Sequence, residues 1–252
     1  MGLQKNYTGW ELSNMEFAVD FHIHSALSPC GDEDMTPCNI VNMALLKGLD
    51  IIAVTDHNSC GNLPAVMEAA KKNGLMVIPG MEVQTKEEVH LLCLFKRMEG
   101  AMKFAEIVYN SLPDIENNEE IFGRQLIFNS SDEIIGKEHK LLLSSTILSV
   151  NDVFILTRGL GGVCIPAHVD RQGFSIITNL GFIPPDLKVK TVEISKRCTP
   201  DAAFKKYPFL SRFNYIISSD AHYLEDISER DFFIELDCLS VSELFNKLDP
   251  KQ

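Results

Sequence analysis

The sequence predicts an α/β fold in which buried strands alternate with helices around one large core. Its 252 residues, 45% of them hydrophobic, are enough to bury a sizeable core. Short apolar runs alternate with amphipathic segments that carry helix caps, a pattern typical of parallel strands joined by crossover helices. Polar side chains follow the apolar runs, and barrel enzymes gather their catalytic groups at such strand ends. We therefore expect a barrel-like α/β domain with a polar site at one edge.

The first predicted strand, residues 17–24, ends in two histidines. Side chains alternate between the two faces of a strand, so His22 and His24 point to the same side while Ile23 points to the other. Two imidazoles on one face could chelate a single metal ion. The alternative for an isolated His-x-His pair is a pair of ordinary surface or core histidines.

The next segments repeat this arrangement of strand, polar residues and helix. Helices are expected where a Ser or Thr cap, such as Thr36, opens an amphipathic run or a glycine ends it. In chain order we predict a loop at 25–35, a helix at 36–47, a strand at 49–55, a helix at 63–73, a strand at 75–79 and a strand at 89–95.

The pattern changes between residues 98 and 149, which we interpret as an insertion that covers or flanks the site. A helix at 98–111 is followed by an acidic stretch, and residues 125–128 and 140–143 could pair as a hairpin. His139, between those two runs, reads as a solvated loop histidine. Residues 1–16 read as a polar terminal arm.

The remaining part of the chain returns to the alternating pattern. Ser149 caps a helix at 150–160, and Ser240 caps a final helix. Three more strands are predicted at 163–165, 189–194 and 215–217, which brings the total to seven. No repeat, low-complexity tract or long linker interrupts the sequence, so we expect residues 1–252 to form a single domain.

Charge and cysteine content limit the expected environment and partners. The formal net charge of −12 argues against a broad nucleic-acid groove and leaves small anionic substrates as the expected partners. The 7 cysteines include no Cys-x-x-Cys pair, and several lie in apolar runs, as in a reduced cytoplasmic protein. There is no apolar run long enough to cross a membrane and no signal-peptide pattern near Met1. The oligomeric state is not predicted.

Eight residues with metal-ligating side chains fall at or just beyond the predicted strand ends, and they include all histidines except His139. A structural core gives histidine no reason to crowd strand ends, whereas a metal site at a barrel mouth does. Mixed imidazole and carboxylate ligands suit zinc, manganese or iron. The eight residues are His22, His24, His57, Glu82, His90, His168, Asp220 and His222.

The order and spacing of these motifs resemble the PHP (polymerase and histidinol phosphatase) superfamily. The resemblance implies a distorted (β/α)7 barrel that binds two or three divalent ions and hydrolyses phosphate esters. It spans most of the chain and is carried by His22-Ile23-His24, Thr55-Asp56-His57-Asn58, Pro79-Gly80-Met81-Glu82, His90, Pro166-Ala167-His168 and Ser219-Asp220-Ala221-His222.

The resemblance also implies which residues bind each ion. The first ion would be held by His22, His24, Glu82 and Asp220, and we expect these four residues to form the catalytic centre. A second ion would be held by Glu82, His90 and His168, with Glu82 between the two. Carboxylate-bridged ions about 3.5–4 Å apart stabilise both oxygens of an in-line displacement, and a water between them would supply the nucleophile.

A third ion would use His57 and His222 together with one residue from the loop after the first strand. Relatives often have Ser-Asp-Gly there, and this sequence departs from that pattern. Asp32 is the predicted ligand, with Glu33, Asp34 and the Cys30 thiolate as alternatives.

A phosphate substrate also needs cations for its remaining oxygens. Arg171, Lys196 and Arg197 follow predicted strands and are the candidate substrate-binding residues, although each could be an ordinary solvated charge. Asp56 is expected to orient a ligand histidine rather than bind metal.

The function predicted from these observations is a metal-dependent phosphoesterase of the EC 3.1 class. A small phosphomonoester, such as histidinol phosphate, a nucleotide or a sugar phosphate, is the expected substrate. The alternatives are a nuclease acting on short oligonucleotides and a non-catalytic metal-stabilised module. A metal hydrolase of the amidohydrolase type would typically use a bridging lysine, for which the sequence offers no matching motif.

Overall fold

The computed structural model describes residues 15–71 and 73–250. Most of the predicted terminal arm, 1–16, therefore lies outside the described residues; Met15 and Glu16 begin the first strand.

The strands follow the predicted positions closely in most of the chain. They are β1 (Met15–Ile23), β2 (Ile51–Val54), β3 (Met76–Gln84), β4 (His90–Phe95), β5 (Leu126–Phe128), β6 (Ile134–Lys137), β7 (Gly162–Pro166), β8 (Thr191–Ser195), β9 (Asn214–Ser218) and β10 (Phe233–Leu236).

The helices between them are α1 (Pro37–Leu46), α2 (Leu63–Ala70), α3 (Met98–Ser111), α4 (Glu119–Phe122), α5 (Val150–Gly159), α6 (Ile176–Leu180), α7 (Pro200–Lys206) and α8 (Val241–Leu248). Side chains of Thr36, Ser149 and Ser240 accept hydrogen bonds from backbone amides in the first turns of α1, α5 and α8, which confirms the predicted caps.

A six-stranded sheet in the order β10-β1-β2-β3-β4-β7 forms the larger part of the fold. The β1–β2 and β2–β3 pairs are parallel, but β4 is antiparallel to both β3 and β7. The expectation of parallel strands throughout is wrong here because residues 85–89 are too few for a crossover helix and instead form a hairpin. As a result His90, the first residue of β4, pairs with Gln84, the last residue of β3.

A parallel pair, β8–β9, faces the remaining side of the site. Backbone hydrogen bonds beyond the strand ends tie it to the large sheet: the Val169 amide donates to the Glu193 carbonyl (2.9 Å), the His24 amide to the Ala221 carbonyl (2.9 Å) and the Ala221 amide to the His22 carbonyl (3.2 Å). The mixed α/β fold with its curled sheet confirms the predicted fold class. A regular barrel of seven continuously paired strands is not formed within residues 15–71 and 73–250.

The core lies on both sides of the curled sheet. Phe104 of α3 packs against Phe95 of β4, with ring centroids 5.2 Å apart, and both side chains are fully buried. α3 therefore packs directly on the six-stranded sheet, and the insertion predicted at 98–149 stays a prediction.

The segment after α3 contains the predicted hairpin, with a different second strand. β5 pairs with β6, whereas Lys140 forms only an isolated bridge with Glu116, so the strand predicted at 140–143 is wrong. The Asn129 side chain accepts hydrogen bonds from the amides of Ser131 and Glu133 and reverses the chain directly after β5. The residues closest to this turn therefore form the partner strand of β5.

The hairpin docks on the loop that follows β1. The Leu126 amide donates to the Ala26 carbonyl (2.8 Å), and the Asn62 side chain joins Ser25 to Leu126. This placement flanks the polar edge of the sheet. No described helix is both long and apolar enough to cross a bilayer.

Asp20 fastens the middle of β1 to the segment after β9. Its buried carboxylate accepts hydrogen bonds from the amides of His22 (3.3 Å), Ser219 (3.0 Å) and Ser228 (3.0 Å). Burial raises the pKa of Asp20, and these hydrogen bonds oppose the rise.

Replacing Asp20 by Ala should therefore lower the free energy of unfolding by about 3 kcal/mol, because three buried amides lose their acceptor. Urea unfolding followed by circular dichroism measures this change. Glu106→Ala on the exposed face of α3 is the matched control and should change stability by less than about 0.5 kcal/mol. Equal stability of the two variants would contradict the assigned role of Asp20.

Candidate metal centre

His22 and His24 are held so that one nitrogen of each ring faces a common space at the end of β1. Nδ1 of His22 lies 3.1 Å from both carboxylate oxygens of Glu193. Nδ1 of His24 lies 2.9 Å from Oγ of Ser28, which donates its own proton to Asp56 (2.7 Å). Ser28 must therefore accept from His24, so the Nδ1 of His24 carries the proton and its Nε2 presents a lone pair.

Two carboxylates meet these imidazoles. Nε2 of His22 lies 3.1 Å from Nε2 of His24, 3.2 Å from Oδ1 of Asp220 and 3.2 Å from Oε1 of Glu82. Nε2 of His24 lies 3.1 Å from Oδ1 of Asp220 and 3.4 Å from Oε2 of Glu82. Ligands of a tetrahedral zinc ion at 2.0–2.1 Å are about 3.3 Å apart, so the spacing of His22, His24 and Asp220 fits such an ion. Glu82 approaches each of the two imidazoles through a different oxygen.

The charges of these four residues would suit a cation held between them. Burial and the nearby His222 and His57 lower the pKa of His24 and keep it neutral. Burial opposes ionisation of Glu82, but the positive charges of neighbouring imidazoles outweigh it and lower the pKa of Glu82. Burial also opposes protonation of His22, yet the carboxylates of Glu193, Glu82 and Asp220 raise its pKa. A proton on His22 therefore occupies a position for which a metal ion would compete.

Glu82 also joins a second group of imidazoles. Its Oε1 lies 2.8 Å from Nδ1 of His90 and 3.2 Å from Nε2 of His168. Its Oε2 lies 3.0 Å from Nδ1 of His57, but the two atoms lack hydrogen-bond geometry and both are buried without a hydrogen-bond partner. Buried polar atoms without partners are rare in proteins, so this group also fits a bound cation.

A third group consists of His24, His57 and His222, whose ligand atoms lie within 4.8 Å of one another. His57 thus stands between this group and Glu82, whereas the resemblance assigned it to the third ion alone. Nδ1 of His222 donates to the Asp220 carbonyl (2.9 Å), which leaves Nε2 free to bind.

Cys30, and not Asp32, places its side chain beside the third group. The nearby His222 and His57 lower the pKa of the Cys30 thiol to about 6, although desolvation opposes its ionisation. The Asp32 carboxylate instead accepts the amide of Asp34 (2.9 Å) within its own loop. The structure therefore favours Cys30, one of the stated alternatives, over the predicted ligand Asp32.

Two of the residues in these groups have backbones in the left-handed region. φ is 28° at His168 and 52° at Asp220. Such conformations are costly for residues other than glycine and persist where the surroundings impose them, often at functional sites. At His168 the amide donates to Oε2 of Glu193 (2.8 Å), which holds the backbone in place.

Sequence reasoning missed Glu193 and Ser28, which orient His22 and His24. Glu193 carried a recognisable signal, since it is a charged residue between Val192 and Ile194 in a predicted buried strand. Ser28 carried no such signal in a loop rich in serine. Asp56 accepts hydrogen bonds from Ser25 and Ser28 and reaches His24 through Ser28.

A cavity of about 560 Å³ opens over the metal-ligating side chains. Arg171 and Arg197 line it, and the Arg171 guanidinium pairs with Asp220. Lys196 does not line this cavity; its ammonium lies 3.6 Å from the carboxylate of Asp226 and lines a different one. Lys196 and Arg197 lie in the turn after β8, and the Lys196 ammonium also donates to the Asp226 carbonyl (2.5 Å), which holds it there.

Comparison with known proteins agrees with this geometry. The model of the PHP domain matches residues 20–173, more than half of the chain. The chain belongs to the PHP family.

Two related proteins are an exoribonuclease and a nucleoside bisphosphate phosphatase. The 5'-3' exoribonuclease Rnm of Salmonella typhimurium is 32% identical over 91 residues, which are 34% of this chain and 31% of that protein. The 3',5'-nucleoside bisphosphate phosphatase of Chromobacterium violaceum is 30% identical over 79 residues, 30% of this chain and 27% of that protein. The chain therefore spans less than a third of the length of either relative.

Solved structures share the fold over almost the whole chain. The lesion-specific endonuclease PfuEndoQ from Pyrococcus furiosus superposes with a TM-score of 0.71 at 20% identity. The match covers 94% of this chain and 57% of the endonuclease chain. Endonuclease Q in complex with a 27-mer duplex carrying an abasic lesion gives a TM-score of 0.69 at 20% identity, over 92% of this chain and 56% of its own.

The prediction of a small phosphorylated partner, with no long nucleic acid, is wrong in light of these nucleases. It relied on the net charge of −12, which sums over all residues. Four of the carboxylates counted, those of Asp20, Asp56, Glu82 and Glu193, are buried and present no negative surface. Arg171 and Arg197 line the cavity beside the carboxylates of Asp170 and Asp220, so the charge that faces a substrate there differs from the net charge of the chain.

Replacing Glu193 by Gln should weaken zinc binding by roughly 10- to 100-fold, because the carboxylate that orients His22 and increases its basicity is lost. Competition with a fluorescent zinc chelator measures the affinity. Glu225→Gln, on an exposed turn, is the control and should bind zinc like the unmodified chain. Unchanged zinc affinity in a folded Glu193→Gln variant would contradict the role of Glu193 in orienting His22.

Cys30→Ser should lower the number of zinc ions that the chain retains, because a thiolate is a much stronger ligand than a hydroxyl. Asp32→Asn should retain the full number. Native mass spectrometry after zinc addition counts the ions in each variant. The opposite outcome, loss in Asp32→Asn alone, would restore Asp32 as the loop ligand.

Proposed function

We propose that the chain is a metal-dependent nuclease that hydrolyses phosphate esters of nucleic acids. The observation that carries this proposal is the convergence of His22, His24, Glu82 and Asp220 under a cavity lined by arginines. Family membership and the nucleases among the related proteins support the substrate class.

Two or three divalent ions, zinc, manganese or iron, would be held by the three groups of side chains described above. When bound, such ions act as Lewis acids on the phosphoryl group and lower the pKa of a water molecule. The ligand set contains neutral imidazoles and carboxylates, which suits these metals better than calcium or magnesium. The thiol of Cys30 adds a soft ligand that favours zinc or iron.

The chain's own residues orient the ligands and bind the substrate. Glu193 and Ser28 set the ring orientations of His22 and His24, so little reorganisation is needed when a cation binds. Arg171 is paired with Asp220 and lines the cavity. A planar guanidinium suits the non-bridging oxygens of a phosphate.

The proposal is tested by incubating the full chain with end-labelled single-stranded RNA, single-stranded DNA and duplex DNA in the presence of zinc, manganese or iron(II). We expect cleavage of at least one nucleic acid, loss of cleavage on chelation and recovery when the metal is returned. Arg197→Ala should raise KM by roughly 10-fold, since one charge-assisted contact to phosphate is lost. Lys196→Ala is the matched control and should leave KM unchanged, because its side chain faces Asp226.

Two outcomes would contradict the proposal. Chain that retains metal but cleaves no nucleic acid, while hydrolysing an aryl phosphate, would indicate a phosphatase for small molecules. Chain that retains metal and hydrolyses neither would indicate a module in which the metal is structural.

A further inference from the structure

Phe174 is exposed at the mouth of the cavity. Its side chain is 45% exposed, although the chain buries most of its other phenylalanines at least in part. One face of the ring is covered by His90, with ring centroids 4.6 Å apart and an angle of 24° between the planes. The opposite face is not covered by any other aromatic or histidine ring of the described residues, and Phe174 lines the cavity over the metal-ligating side chains.

The backbone at Phe174 is held in an unfavourable conformation. φ is 56°, in the left-handed region that an aromatic residue seldom adopts. The His90 amide donates to the Phe174 carbonyl (2.8 Å), and the next residue, Ser175, caps α6. These contacts place the ring on His90 but leave its outer face unpacked, so hydrophobic burial does not explain the position.

Two arginines line the same cavity as the ring. Arg171 lies three residues before Phe174, and Arg197 lines the same cavity. Phe174 is the one phenylalanine, tyrosine or tryptophan among the lining residues in the described part of the chain. The cavity thus offers guanidinium groups for a phosphate and a flat apolar face for a ring.

We infer that Phe174 is a stacking platform for a nucleobase adjacent to the phosphate that is cleaved. The inference rests on the proposed function and names the part of the nucleic acid that the site recognises. Aromatic side chains bind bases of any sequence through the ring face, so the platform confers recognition of a base without selecting which one. The edge of the Phe174 ring carries no hydrogen-bonding group that could read a particular base.

The test compares two single-stranded oligonucleotides that are identical except for an abasic residue next to the cleaved phosphate. Unmodified chain should have a higher kcat/KM for the strand that carries the base. In Phe174→Ala the ratio of the two values should fall by roughly 10- to 100-fold, the range in which aromatic platforms contribute to base binding. Phe174→Trp should preserve the ratio, and Phe174→Leu, which still covers His90 but offers no aromatic face, should lose it.

Phe182→Ala is the matched control, because Phe182 is 55% exposed nearby in the chain and does not line the cavity. Its ratio should equal that of the unmodified chain. Metal content of each variant is measured in the same preparations. Loss of metal in Phe174→Ala, or an equal fall in kcat/KM on both strands, would show that the ring only supports His90 and would overturn the inference.

A binding measurement separates this inference from the proposed function. An oligonucleotide with 2-aminopurine at the tested position should lose fluorescence on binding to unmodified chain and not on binding to Phe174→Ala. Ring-dependent quenching without cleavage of any strand would support the platform and contradict the nuclease proposal. Cleavage with equal quenching in both proteins, or no quenching by unmodified chain, would contradict the platform.

Discussion

The buried carboxylate of Glu82 determines how the rest of the site is arranged. It is 1% exposed, and side chains of five histidines approach its two oxygens. An isolated carboxylate at this depth would be strongly unfavourable, and the surrounding imidazoles offset that cost only by sharing protons or metal ions with it. The buried Glu82 carboxylate therefore requires positively charged or proton-donating partners around it.

The fold meets the requirement through the directions of its strands. β1, β2 and β3 run towards the site, so residues at or after their carboxyl ends reach it. β4 runs the other way, and its first residue, His90, therefore lies at the same edge. Glu193 on β8 and Ser28 in the loop after β1 then fix the rings of His22 and His24. Strand direction brings the ligands together, and hydrogen bonds set their orientation.

Much of the fold could be predicted from local patterns. α3 occupies the predicted residues, and the caps at Thr36, Ser149 and Ser240 were recognisable because capping chemistry is local. The strand-end positions of His22, His57 and Asp220 likewise reflect periodicity and need no knowledge of tertiary contacts.

The remaining features depend on contacts between distant parts of the chain. β10 was missed because its exposed and buried residues alternate over only four positions, and its pairing with β1 is a tertiary contact. The choice between Cys30 and Asp32 depends on how one loop folds over His57 and His222, which spacing does not encode. Lys196 and Arg197 look equivalent in sequence, and only the packed structure shows which of them reaches the cavity.

The long sequence separation between partners in the centre has a consequence for biosynthesis. His24 contacts Asp220 across 196 residues, and His22 contacts Glu193 across 171. Contacts this remote form late, because the entropy of closing such large loops must be overcome first. On the ribosome the amino-terminal strands emerge long before Asp220 is synthesised. If the centre binds cations as proposed, the amino-terminal histidines would form an incomplete chelate until Asp220 is in place, and complete cation binding would be one of the last steps of maturation.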